Sequence, residues 1–197
     1  GMALAWDGTN YNNLINGDYS NSGAGWTAWT ERGTMGRTYT SGTSVRLQPN
    51  NANGGIFYTF NVRSDHQYAF QGLASLSGGK DWIGANTASC SWFELHLSTD
   101  GSKPATSGSD YTAGQICKTD RCSGCETSDN WSRTFPTCCN QALSPNPKTF
   151  SPNAGVTQMS LVVKLGNTYG TTTAYLDQGK MQIIDKGAVV GRVLDTA

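Results

Sequence analysis

Apolar and polar residues alternate with period two along most of this chain, the pattern of strands that bury one face. In TSVRLQPN (43–50), Val45 and Leu47 share one face, and Arg46 and Gln48 share the other. GGIFYTFNV (54–62) sets Ile56, Tyr58, Phe60 and Val62 in strict alternation. HQYAFQGLAS (66–75) buries Tyr68 and Phe70 and turns Gln67, Ala69 and Gln71 outward. TQMSLVVKLG (157–166) sets Met159, Leu161, Val163 and Leu165 against Ser160, Val162 and Lys164. AYLDQGKMQIID (174–185) closes the set, with a Gln-Gly turn expected near its middle. No stretch of about twelve residues keeps an apolar stripe at helical steps. The predicted fold class is all-β, a two-sheet antiparallel β-sandwich with few or no helices.

One strand differs from the rest. SCSWFELHLS (89–98) has Phe93, Leu95 and Leu97 on one face and Trp92, Glu94 and His96 on the other. An outward strand face normally carries Thr, Ser and Lys. An indole, a carboxylate and an imidazole in line predict a binding surface, and the plainer alternative is that Trp92 packs under a loop.

Between Asp100 and Val156 the alternation stops. This stretch holds five of the six cysteines (Cys117, Cys122, Cys125, Cys138 and Cys139; Cys90 precedes it) and five of the six prolines. It reads as a long cysteine-rich insertion, about 100–156, in a single domain over residues 1–185, with 186–197 as a terminal strand or linker. So long an insertion without a core of its own needs cross-links, and an even cysteine count predicts disulfides and an oxidising compartment. Structural zinc on four of these thiolates and free thiols are the alternatives. The spacing imitates an iron–sulfur motif, but nothing else in the chain supports that fold.

With 197 residues, 14% charged, and a formal net charge of zero, the chain fits one large domain and has no electrostatic footprint for nucleic acid or an anionic membrane. No apolar run is long enough to span a bilayer. GMALAWDGTNYN at the start lacks the basic and apolar regions of a signal peptide, and its Gly-Met reads as a tag scar.

At both ends the sequence resembles a known family. NLINGDYSNSGAGW (13–26) is similar to the opening of galactose-binding-like carbohydrate-binding modules of families 4, 9 and 22, where an Asn-Gly-Asp-Phe-Glu strand precedes a glycine-rich turn and a Gly-Trp pair. AYLDQGKMQIID resembles their last strand, and the likeness covers residues 13–98 and 157–185. It implies a jelly roll of galactose-binding-like type, Trp26 as a core anchor, and β-linked glycans laid across a concave sheet. It also implies a structural Ca2+ at Asp18 and Asp177, although Ser20 stands where the family carries a ligating glutamate. Asp18 as a turn former and Asp177 at a bulge are the alternative.

Sugars offer an apolar ring face and a rim of hydroxyls, which flat aromatics and planar amides, carboxylates and guanidinium groups match. The expected ligand-binding residues are Arg46, Gln48, Gln71, Trp92, Glu94 and His96 on the sheet face, with Trp82 at a loop tip. The expected function is non-catalytic carbohydrate binding at an extracellular, cell or virion surface, without an organic cofactor and beside neighbouring domains of a larger protein. Two alternatives stand: a structural or adhesive domain of a virion tail or surface assembly, and a jelly-roll polysaccharide lyase using Arg46, Gln48 and His96. Against catalysis, His66 sits at an ordinary turn and Glu94 has no partner carboxylate in the sequence.

Overall fold

Nine strands make up almost all regular structure in a computed structural model that describes residues 12–77, 92–98, 115–120, 131–135, 148–166 and 175–193. They are β1 (Trp26–Thr40), β2 (Ser44–Asn61), β3 (His66–Ser77), β4 (Trp92–Ser98), β5 (Gln115–Asp120), β6 (Trp131–Phe135), β7 (Lys148–Phe150), β8 (Gln158–Gly166) and β9 (Tyr175–Ala188). All pairings are antiparallel.

The ladder runs β5-β4-β8-β2-β9-β3-β6, with β1 on β2 and β7 on β3. Two layers come from this one network because the β1–β2 hairpin serves both. The second half of β2, from Gly54 on, pairs with β8. Its first half, Val45 to Leu47, pairs with β9. One core lies between the layers, drawing Ile56, Phe60, Leu97, Met159, Leu161 and Val163 from the first and Val45, Leu47, Tyr68, Phe70, Met181 and Ile183 from the second.

The alternation in the sequence reads correctly for most of these positions. Arg46, between buried Val45 and Leu47, and Gln48, after Leu47, are exposed. The change of layer needs a correction of phase, and a bulge supplies it. Arg32 pairs with Asn53 and Thr34 with Asn50, so β2 carries two residues against one in β1. Inward positions accordingly pass from odd (Val45, Leu47) to even (Ala52, Ile56, Phe60).

Five expectations are revised. The segments read as separate strands at 43–50 and 54–62 are one strand, β2. β9 runs unbroken through Gln178-Gly179, where a bulge against Gly72–Ala74 replaces the expected turn. It also continues past residue 185 to Ala188. Within the supposed structureless insertion lie β5, β6 and β7, which extend both layers. Ala69, read as outward, is fully buried. Of the six cysteines only Cys117 falls in a described strand, opposite Leu95, so the disulfide and zinc readings lie outside the described residues.

The Asn16–Trp26 segment explains why its sequence is so particular. Asn16 Nδ2 donates to the carbonyls of Ser20 (2.8 Å) and Ala24 (3.0 Å), and its Oδ1 accepts from Ser20 N. Tyr19, Asn21 and Ser22 take left-handed backbone angles, at φ 58, 54 and 56. Such angles disfavour L-residues, and the Asn16 bonds hold them in place. Gly17 lies so close to β9 that a Cβ there would sit 1.6 Å from the Met181 carbonyl oxygen. Trp26 packs 5.3 Å from both Tyr19 and Tyr58 and donates its indole N–H to the Asn16 carbonyl. It is the core anchor that the resemblance implies.

Candidate functional site

Lys164 is the unexpected residue. Its position alternates with Leu161 and Val163, away from the core, where a strand lysine is normally solvated. Yet its side chain is only 3% exposed, and Ser160 and Val162 on the same side of β8 are fully buried. Nζ lies 3.4 Å from Glu31 Oε1 and 5.4 Å from the centroid of the Trp29 ring. Glu31 accepts from Asn53 Nδ2 through its other carboxylate oxygen.

The register shows how four strands assemble this cluster. Trp29 of β1 pairs with Gly55 of β2, Gly55 with Lys164 of β8, and Lys164 with Glu94 of β4. Glu94 pairs onward with Lys118 of β5. Position 55 carries no side chain, so the lysine stem meets no obstacle between its own strand and the indole. A Cβ there would fall 1.8 Å from the Val163 carbonyl oxygen, so glycine is also required for the β2–β8 approach. Trp29 Nε1 and Asn53 Oδ1 are buried without a hydrogen-bond partner, one a donor and the other an acceptor. Such groups in a native fold call for a water or ligand atom.

The expected site residues fall in three places. Trp92, Glu94 and His96 hold the ladder positions beside Gly166, Lys164 and Val162, in the first layer. Arg46 and Gln48 are exposed on the first half of β2, and Gln71 pairs with Gln182 of β9. These three belong to the second layer, so the one surface expected from sequence is divided between two. Alternation within each strand cannot reveal this, because one strand, β2, contributes to both layers. Trp82 lies outside the described residues.

Sequence reasoning missed Trp29, Glu31 and Asn53. WTAWT contained the signal: tryptophans three apart in a strand point to opposite faces, so if Trp26 anchors the core then Trp29 belongs outside.

For calcium, Asp18 uses Oδ1 to accept from Ser20 N (3.1 Å) and also from Ser20 Oγ. Asp177 stands in register with Arg46. Among the described residues no group of three or more His, Cys, Asp or Glu is placed to hold a metal.

A second polar cluster gathers where β3 begins and β9 ends. His66 Nδ1 lies 2.9 and 3.0 Å from the two Asp185 oxygens. Arg63 pairs with Asp65 through two bonds, which holds the Asp65 carboxyl below the usual carboxylate range. Beside it, Arg192 donates to the carbonyls of Ser64 (2.7 Å) and Pro152 (2.6 Å), fastening the segment after β9. Every bond here is between neighbouring turns and strand ends, and the cluster reads as structural.

The fold and the cluster define a two-layer antiparallel β-sandwich with a polar and aromatic patch on the outer side of one layer. No family model matches the chain, and no curated protein matches it in sequence. Solved structures resemble it loosely. The enzymatically active domain of bacteriophage CBA120 tailspike protein 4 gives a TM-score of 0.49 at 10% identity, covering 90% of this chain and 22% of that one. An arabinose-bound α-L-arabinofuranosidase gives 0.49 at 10%, covering 91% and 27%. The carbohydrate-binding module TmCBM61, in complex with β-1,4-galactotriose, gives 0.41 at 7%, covering 92% and 100%. The chain thus spans about a quarter of the length of the first two. Likenesses this loose carry neither ligand nor chemistry over to it. Among the described residues no helix is long and apolar enough to cross a membrane.

Proposed function

We propose that the chain binds carbohydrate without catalysis, through the outer side of the first layer. The observation that carries this reading is the open edge of the cluster, where the half-buried Trp29 shares β1 with the exposed Glu31, and Asn53 of β2 bonds Glu31. From Trp29 the ladder row runs through Gly55 and the buried Lys164 to Glu94, with Trp92 two positions further along β4. An indole beside hydrogen-bonding groups matches the apolar and hydroxylated surfaces of a sugar. The ladder positions of Trp29 and Trp92 lie three strand spacings and two residues apart, about 16 Å, so the ligand is an oligosaccharide or polysaccharide chain. The resemblance of residues 13–26 and 174–185 to galactose-binding-like modules supports the same reading, and with it a jelly-roll topology and a location outside the cell or on a surface. A structural calcium at Asp18 and Asp177 belongs to the proposal as a site completed by backbone carbonyls.

Affinity electrophoresis through gels containing soluble glycans tests it. Wild-type protein should be retarded by at least one glycan. Trp92→Ala should keep its fold and lose about 1–3 kcal/mol of binding. Unfolding of Trp92→Ala would place that ring in the core and end the assignment.

A further inference from the structure

Among the described residues Lys164 is the one charged side chain that is buried. Phe57, Ser160 and Val162, on the same outer side of this layer, are buried with it. Lys164 Nζ lies 3.4 Å from Glu31 Oε1, and Asn53 Nδ2 donates to the other oxygen of that carboxylate. One carboxylate thus touches an amine and a side-chain amide that belong to neighbouring strands. Asn53 stands on β2 two positions from Gly55, the ladder partner of Lys164, so the two side chains share a face and a cross-strand diagonal. The other polar atom of the amide, Asn53 Oδ1, is buried and accepts no hydrogen bond. Lys164 has a further interaction besides these, and the Trp29 ring lies 5.4 Å from its Nζ, so the amine is held in place.

An amine, a carboxamide and a carboxylate gathered away from bulk water are the two reactants and the proton carrier of an amide exchange. We propose that Lys164 and Asn53 join in an isopeptide bond, with Glu31 as general base and then general acid. Glu31 Oε1 takes a proton from the Lys164 ammonium, and the electron pair freed on Nζ attacks Asn53 Cγ. The tetrahedral centre collapses as the Cγ–Nδ2 bond breaks, with Glu31 Oε2 delivering a proton to Nδ2. Two protons pass in all from Nζ to Nδ2 by way of Glu31, so the leaving group departs as ammonium and the carboxylate is restored. One C–N bond forms and one breaks, with no oxidant, reductant or co-reactant. Exclusion of water protects the product from hydrolysis. The bond ties β2 to β8 beside Gly55 and leaves Trp29 and the exposed Glu31 at the open edge, so this inference is independent of the carbohydrate reading.

Mass spectrometry of the whole reduced chain, kept at neutral pH after purification, tests it. Wild type should weigh one ammonia less than its sequence. Its digest should contain a branched peptide that joins a β2 segment through Asn53 to a β8 segment through Lys164. Lys164→Arg keeps a cation but no nucleophilic amine, and Glu31→Gln keeps the hydrogen-bonding shape but cannot carry the proton. Both variants should keep their full mass and yield no branched peptide. Wild type at its full sequence mass overturns the inference. So does a loss of ammonia located at Asn53 and Gly54 alone, the mark of a succinimide. A branched peptide that forms as fast in Glu31→Gln as in wild type overturns the role of Glu31. Removing one partner of a buried pair is costly; should a variant not fold, the wild-type digest still decides whether the bond exists.

Discussion

Lys164 reaches the ring of Trp29 across the bare backbone of Gly55, the residue that pairs with both. The three positions come from three strands and are more than a hundred residues apart at the extreme. The glycine lets β2 and β8 close up and leaves room for the lysine stem. Gly55→Ala forces a Cβ to within 1.8 Å of the Val163 carbonyl oxygen, so the strands must part. The expected cost is about 1–3 kcal/mol, read as a lower urea midpoint. Unchanged stability would mean that the β2–β8 contact is looser than described.

Trp26 and Trp29 should respond oppositely to truncation. Trp26 is buried against Tyr19 and Tyr58 and bonded to the Asn16 carbonyl, so Trp26→Ala should cost about 3–5 kcal/mol. Trp29 is half-buried on the outer side, so Trp29→Ala should cost less in stability and more in glycan retention. Denaturation and affinity gels on the two variants check the contrast.

Alkaline pH should destabilise the fold through Tyr19. Its phenol is fully enclosed and held well above the usual tyrosine range, first by burial and second by Tyr39. The unfolded chain therefore loses this proton first. The stability that Tyr19 contributes is complete below a pH of about 10 and is lost as pH rises through the folded-state value. Denaturant midpoints measured upward from neutral pH should fall on this limb, and Tyr19→Phe should flatten it. Because the hydroxyl is buried without a partner, Tyr19→Phe should be neutral or stabilising at pH 7.

Arg192→Ala should free the segment after β9 while leaving the sandwich intact. It removes the bonds to the Ser64 and Pro152 carbonyls, worth about 1 kcal/mol each in net stability. Hydrogen exchange at Val189 N, which donates to the Asp65 carbonyl, should accelerate. Exchange at Ile183 and Met181 in the core should not.

Calcium predicts a simple thermal result. If Asp18 and Asp177 contribute to a site, millimolar Ca2+ should raise the melting temperature and a chelator should lower it. Coincident melting curves would leave Asp18 as the turn residue that its bonds to Ser20 already make it.

Much of the core was written in the sequence. Val45 and Leu47, Tyr68 and Phe70, and Met159, Leu161 and Val163 all lie where alternation puts them, because a half-buried strand exposes its side-chain period directly. β1 escaped notice since its apolar residues are sparse: among Trp26–Thr40 only Trp26 is buried, as suits a strand at the edge of both layers. The split of Arg46, Gln48 and Gln71 from Trp92, Glu94 and His96 was not legible either.

Local order, then, follows in good part from the sequence by itself: the cores of β2, β3, β4, β8 and β9, most of their inward residues, and Trp26 as a core anchor. Period-two patterning and short-range hydrogen bonds act between near neighbours and need no knowledge of the rest of the chain. Which strands become adjacent was decided only by the tertiary structure. Pairing of β2 with β8 and of β1 with β2 brings Trp29, Glu31, Asn53 and Lys164 together, and a one-residue bulge in β2 resets which of its residues face inward. Register across distant strands depends on long-range closure and core packing, and no local pattern in the chain encodes it.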